Sequence, residues 1–158
     1  MNKVVMVVDD EPEIIKIAKI ALELENYCVI EATNGEECLS MLESNENPCL
    51  ILLDIMMFGI TGYDLFKKIR ENERFKNIKI VFFSAMAQNQ DIEKGLALGV
   101  DDYITKPFDP YELVARVTNI LKIVEGKRHG EGSKENIATE TVSRIVPGRN
   151  PQARLRNL

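Results

Sequence analysis

The sequence predicts an α/β fold, a doubly wound five-stranded parallel sheet covered by five helices. Three observations predict it. Short, nearly uninterrupted apolar runs recur at residues 3–8, 27–31, 49–54, 78–83 and 100–104. Runs of this length with β-branched residues and no polar alternation read as strands buried on both faces, the habit of parallel sheets. Each run is followed by a segment with helical apolar spacing, and strict alternation of the two puts helices on both sides of the sheet. Right-handed crossovers follow from chain chirality, while periodicity leaves the strand order open.

The first strand, Lys3-Val4-Val5-Met6-Val7-Val8, ends on Asp9-Asp10. Glu11-Pro12-Glu13 then opens a helix, with proline tolerated in the first turn and acids favoured at the positive helix end. Ile14, Ile17, Ala18, Ala21 and Leu22 supply its apolar stripe. Tyr27-Cys28-Val29-Ile30-Glu31 is the second strand, and Asn34 is a natural N-cap for a short helix burying Cys38, Leu39 and Leu42. After the loop 44–48 comes Cys49-Leu50-Ile51-Leu52-Leu53-Asp54, five apolar residues running straight into a carboxylate.

Thr61-Gly62 precedes the third helix, which carries Leu65, Phe66 and Ile69 on one face. The fourth strand, Ile78-Lys79-Ile80-Val81-Phe82-Phe83, ends at Ser84. Residues 91–98 form a short helix stopped by Gly99, and residues 100–104 the fifth strand, followed by Thr105-Lys106-Pro107. The last helix starts at Asp109-Pro110, with Leu113, Val114, Val117, Ile120, Leu121 and Val124 as its stripe.

These elements fill residues 1–124 of the 158-residue chain. Residues 125–158 hold four of the nine glycines, two of the six prolines and no aromatic, a composition suited to a linker or disordered extension. A short helix over 136–146 is compatible with the spacing of Ala138, Val142, Ile145 and Val146. The net charge of −5 divides unevenly: 13 basic against 21 acidic residues in 1–124, and 7 against 4 in the tail. An acidic globule repels nucleic acid, so direct binding of DNA or RNA by 1–124 is not expected.

No apolar run reaches the ~20 residues of a membrane span, and the N-terminus lacks a signal-peptide pattern, so the cytoplasm is the expected location. Cys28, Cys38 and Cys49 are odd in number and form no CxxC pair; they read as reduced core residues. His129 lies alone in a Gly/Lys-rich stretch, which argues against a histidine-based site.

In an all-parallel sheet every strand exit lies at one edge, where open α/β sheets bind ligands. Asp9, Asp10, Asp54, Ser84 and Lys106 all fall at strand exits, so three carboxylates, a hydroxyl and an ammonium converge. Two carboxylates ~4 Å apart repel by roughly 4 kcal/mol at a protein surface, so three together call for a cation. Only oxygen ligands are present, which fits Mg²⁺ or Mn²⁺ and not zinc. Mg²⁺ bound by one or two carboxylates leaves room for a phosphoryl oxygen, and a lysine and a hydroxyl suit the remaining ones.

The strings Val7-Val8-Asp9-Asp10-Glu11, Leu52-Leu53-Asp54-Ile55-Met56-Met57, Ser84-Ala85 and Asp101-Asp102-Tyr103-Ile104-Thr105-Lys106-Pro107-Phe108 resemble the receiver domain of two-component response regulators, over about residues 2–124. The resemblance implies a flavodoxin-like strand order, 2-1-3-4-5. It implies that Asp54 takes a phosphoryl group from a phosphohistidine on a sensor histidine kinase or phosphotransfer protein. Asp10, Asp54 and the Met56 backbone carbonyl would ligate Mg²⁺, with Asp9 acting through water. Lys106 would pair with the phosphoryl group, Ser84 would donate to it, and Tyr103 would be an aromatic switch that turns inward as Ser84 moves. The Lys106-Pro107 bond would be cis. Phosphorylation would then reset the face made by the fourth helix, fifth strand and fifth helix, controlling partner binding or homodimerisation. Such a chain is a phosphoryl acceptor with slow self-dephosphorylation and not an enzyme in the ordinary sense.

One departure is Phe58, where the family usually has proline; a proline there would stiffen the loop beside Asp54. A dehalogenase-like phosphatase is the competing enzyme reading, but it needs a second acid two residues after the nucleophile, and Met56 stands there. The alternative within the family is a degenerate receiver that binds partners without being phosphorylated; such receivers usually lack one of the acids or the lysine, all present here.

Overall fold

The computed structural model describes residues 2–129. Its elements are β1 (Val4–Val8), α1 (Pro12–Leu24), β2 (Cys28–Ala32), α2 (Gly35–Glu43), β3 (Leu50–Asp54), α3 (Gly62–Glu71), a 3-10 turn (Glu73–Phe75), β4 (Lys79–Ser84), α4 (Asn89–Ala97), β5 (Asp102–Thr105) and α5 (Pro110–His129). The strands form one parallel sheet in the order β2-β1-β3-β4-β5. This is the flavodoxin-like arrangement, and β1 and β3 flank the point where the order reverses.

Because side chains alternate along a strand, the apolar runs supply two cores at once. Met6, Val8, Ile51, Leu53, Ile80 and Phe82 face one side and pack with Leu42 of α2 and Leu65 and Ile69 of α3. Val5, Val7, Leu50, Leu52, Val81 and Phe83 face the other and pack with Ile15, Ala18 and Leu22 of α1 and Leu113, Val117 and Leu121 of α5. All five residues of β3 are buried, the last of them an acid.

Asn34 is the N-cap the sequence marks, and Thr61 caps α3 in the same way. Asn34 Oδ1 accepts from the Glu37 amide at 2.8 Å, and Thr61 Oγ1 accepts from the Asp64 amide at 3.2 Å. Gly99 ends α4 with φ +97°, a left-handed conformation that a side chain resists.

Three expectations shift. Ile17 is 44% exposed, and Ile15 takes the buried position beside Ala18 and Leu22; four isoleucines in seven residues let the stripe be drawn on either side, and packing against α5 selects Ile15. Cys28 is exposed on edge strand β2, while Cys38 is buried and Cys49 half-buried, so the reading of all three as core residues holds for Cys38 alone. The last helix continues through residue 124 to His129, which puts the 1–124 boundary inside α5. Residues 130–158, including the candidate helix 136–146, lie outside the described residues.

Candidate functional site

The site is built on strand ends at one edge of the sheet, those of the neighbours β1 and β3 and, beyond β4, that of β5. Asp9 follows β1, Asp54 closes β3, and Lys106 follows β5. Asp9 is fully buried, Asp54 is 2% exposed and Ser84 is fully buried, so three polar residues lie within an otherwise apolar interior. Oxygens of Asp9, Asp10, Glu11 and Asp54 all lie within 4.8 Å of one another. The register explains the meeting: Val8 pairs with Leu53, and Asp54 pairs with Phe83 just before Ser84.

Lys106 ties the acids together. Its ammonium donates to Asp9 Oδ2 at 2.6 Å and lies 3.4 Å from both Asp54 Oδ2 and Glu11 Oε1. The same nitrogen stands 4.8 Å from the centroid of the Phe83 ring, and the Lys106 amide donates to the Ser84 carbonyl at 2.8 Å. The Lys106-Pro107 bond is cis.

Backbone amides hold the carboxylates from the other side. The Glu11 amide donates to Asp9 Oδ1 at 2.9 Å, the Met56 amide to Asp54 Oδ1 at 3.1 Å, and the Phe58 amide approaches Asp10 Oδ2 at 3.4 Å. That last contact is one a proline at 58 could not make. Met56 and Phe58 are 63% and 94% exposed and rim the mouth of the site.

Burial dominates the titration of the acids. It pushes the Asp54 carboxyl from 3.8 up to about 6, and the negative charge of Asp9 adds in the same direction, against Lys106 and the Met56 amide. Burial raises Asp9 as well, despite its bonds to Lys106 and the Glu11 amide. Lys106 is raised: burial works against its charge, but the Asp9 hydrogen bond and the fields of Asp54, Asp9 and Glu11 prevail. A positive charge would relieve the crowded carboxylates.

The donor set fits a hard divalent cation. Four carboxylates within a few ångströms, with two of them (Asp10 and Glu11) exposed at the mouth, can give Mg²⁺ one or two ligands and leave the rest of its shell open. Lys106 lies closer to Asp9, at 2.6 Å, than to Asp54, at 3.4 Å.

Every residue singled out from the sequence is at or beside this crevice, with one difference of state. Tyr103 is already turned inward, 4% exposed, with its hydroxyl donating to the Met86 carbonyl at 2.6 Å. The Ser84 Oγ accepts from the Met86 amide at 3.2 Å, so both residues close on the same short loop. Glu11 is the member to which the sequence assigns no role in the site, only a place in the motif string and at the opening of a helix. Its place two residues after Asp9 was the available signal.

Residues 5–118 match the family described as the response regulator receiver domain. Over 124 residues the chain is 39% identical to the response regulator SaeR of Staphylococcus epidermidis, covering 78% of this chain and 52% of that protein. It is 36% identical over 135 residues to the phosphate regulon transcriptional regulatory protein PhoB of Pseudomonas aeruginosa, covering 85% and 56%. The chain thus spans little more than half the length of these curated relatives. Among solved structures it resembles the receiver domain of a Francisella response regulator, with TM-score 0.72 and 32% identity over 78% of this chain and 99% of that one. No helix among the described residues is long and apolar enough to cross a membrane.

Proposed function

This chain belongs to the response regulator receiver domain family, and on that premise we propose that Asp54 accepts a phosphoryl group from a phosphohistidine on a sensor kinase or phosphotransfer protein. The observation that carries this reading is the pairing of a buried carboxylate with both a cluster of metal-competent oxygens and a buried ammonium. One Asp54 oxygen forms the bond to phosphorus, the P–N bond to the donor imidazole breaks, and the imidazole leaves with the bond's electron pair and takes up a proton.

Asp10, Asp54 and the Met56 carbonyl would hold Mg²⁺, with Asp9 supporting it through water. When bound, the ion offsets the charge of the acids and of the incoming phosphoryl oxygens. Lys106 then exchanges its contact with Asp54 for one with the phosphoryl group, and Ser84 donates to a second oxygen. Acceptance is stoichiometric, followed by slow self-hydrolysis, so the chain acts as a switch and does not turn over like an enzyme.

The output is carried by α4, β5 and α5. Arg116 of α5 pairs with Asp102 of β5 at 3.0 Å and with Glu112 at 3.2 Å, giving this face a charged strip. New charge at the site draws Ser84, and through the Met86 loop shifts the population of Tyr103 and α4 positions. Partner binding or self-association through this face follows, and the cytoplasm is the working compartment. The experiment is incubation with acetyl phosphate, with and without Mg²⁺, followed by intact mass. One phosphoryl group gained only with Mg²⁺ is expected; no gain, or several, contradicts the reading.

A further inference from the structure

Gly62 opens α3 in direct contact with the backbone at the end of β3. A Cβ at this position would stand 2.5 Å from the Asp54 carbonyl oxygen and 2.5 Å from Ile55 Cα. Of Gly35, Gly59, Gly62, Gly95 and Gly99 it alone meets backbone; Gly35 meets Ile60 and Gly95 meets Tyr103 and Phe82 through side chains. The Gly62 amide also donates to the Ile55 carbonyl at 2.9 Å, so the loop 55–61 leaves and returns at the same point. That loop carries the Met56 amide on Asp54 Oδ1 and the Phe58 amide near Asp10 Oδ2.

We propose that Gly62 is a positioning residue for the phosphoryl acceptor. Its missing side chain lets the first turn of α3 lie against Asp54 and Ile55, and this contact fixes the loop whose amides orient Asp54 and Asp10. The proposal rests on the reading of Asp54 as acceptor. A Cβ would force the two backbones apart by about 1 Å, a displacement that at a reacting group costs on the order of a hundredfold in rate. Outer groups that orient metal ligands are worth about tenfold or more in metal affinity.

The test compares Gly62→Ala with Leu121→Ala in the full chain, the second being a core truncation of α5 that serves as a control for lost stability. Melting is followed by circular dichroism, Mg²⁺ affinity by the NMR shifts of the Met56 and Phe58 amides, and labelling by acetyl phosphate at saturating Mg²⁺. Both variants are expected to melt lower. Gly62→Ala binds Mg²⁺ about tenfold more weakly and labels about a hundredfold more slowly, while Leu121→Ala keeps both near wild-type values. If Gly62→Ala is unfolded in buffer, the measurements are made in trimethylamine N-oxide, which favours the compact state. Wild-type affinity and labelling in folded Gly62→Ala, or equal losses in Leu121→Ala, would overturn the proposal. So would failure to fold even with the osmolyte, since the contact would then serve stability alone. A wild-type chain that binds Mg²⁺ yet takes no label sinks the acceptor reading instead, and the Mg²⁺ titration still judges Gly62.

Discussion

The Lys106 ammonium lies 2.6 Å from Asp9 Oδ2 with only 9% of the lysine side chain exposed. Removing one partner of a buried pair leaves the other charge uncompensated, at a cost of about 3–5 kcal/mol. Lys106→Ala is therefore expected to lower the melting temperature near neutral pH, and to lower it less at pH 5, where the raised acids take protons instead. It should still bind Mg²⁺ through Asp10 and Asp54 but lose the phosphorylation-dependent change in self-association. Calorimetry at the two pH values and gel filtration with and without acetyl phosphate check this.

The raised acids make a second prediction about the metal-free protein. A carboxyl bound more tightly to its proton in the folded state stabilises the fold below its unfolded pKa, and that stability is lost as pH rises through the folded value. For Asp54 the window runs from 3.8 to about 6, and at 1.36 kcal/mol per unit the loss is roughly 3 kcal/mol. The metal-free chain should melt lower at pH 7.5 than at pH 5.5, and Mg²⁺ at ten times its Kd should restore about 1.4 kcal/mol at the higher pH. A melting temperature that rises with pH over this range contradicts the electrostatic account.

Gly95 bears on the proposed output face. A Cβ there would lie 2.8 Å from Tyr103 Cδ2 and 3.0 Å from Phe82 Cδ2, so α4 sits directly on the two rings. Overpacking of this kind costs about 1–3 kcal/mol. Gly95→Ala should lose stability in that range and uncouple labelling from self-association, with labelling itself little changed. Denaturant unfolding and gel filtration of the labelled protein measure the two effects.

Phe58 separates fold from recognition. At 94% exposure it buries almost nothing, and Phe58→Ala should change stability by no more than about 0.5 kcal/mol. Labelling by acetyl phosphate, which needs only the mouth of the site, should stay the same. Transfer from a histidine-phosphorylated protein, which must cover the rim formed by Met56 and Phe58, should slow. Parallel time courses with the two donors decide it.

Much of this molecule is legible in its sequence because buried parallel strands announce themselves. The runs ending at Asp9, Asp54 and Ser84 need no tertiary information to be called strands, and parallel pairing then carries their end residues to one edge. The signal fails where tertiary packing decides. Ile15 fits a helical stripe with Ala18 and Leu22 and Ile17 one with Ala21, and packing into the core buries the first. Glu11 reads as a helix-opening acid until the Lys106 side chain is seen reaching it. The contact of Gly62 with the Asp54–Ile55 backbone leaves no trace in hydropathy, since glycine marks only that something must come close. The inward ring of Tyr103, bonded to the Met86 carbonyl, is set by tertiary packing, which no periodicity encodes.

Asp54 as phosphoryl acceptor is tested by acetyl phosphate labelling of wild type and Asp54→Asn with Mg²⁺, read by intact mass and peptide mapping. One phosphoryl group is expected on the wild-type peptide containing Asp54 and none on the variant, with both proteins folded. Undiminished labelling of Asp54→Asn would contradict it.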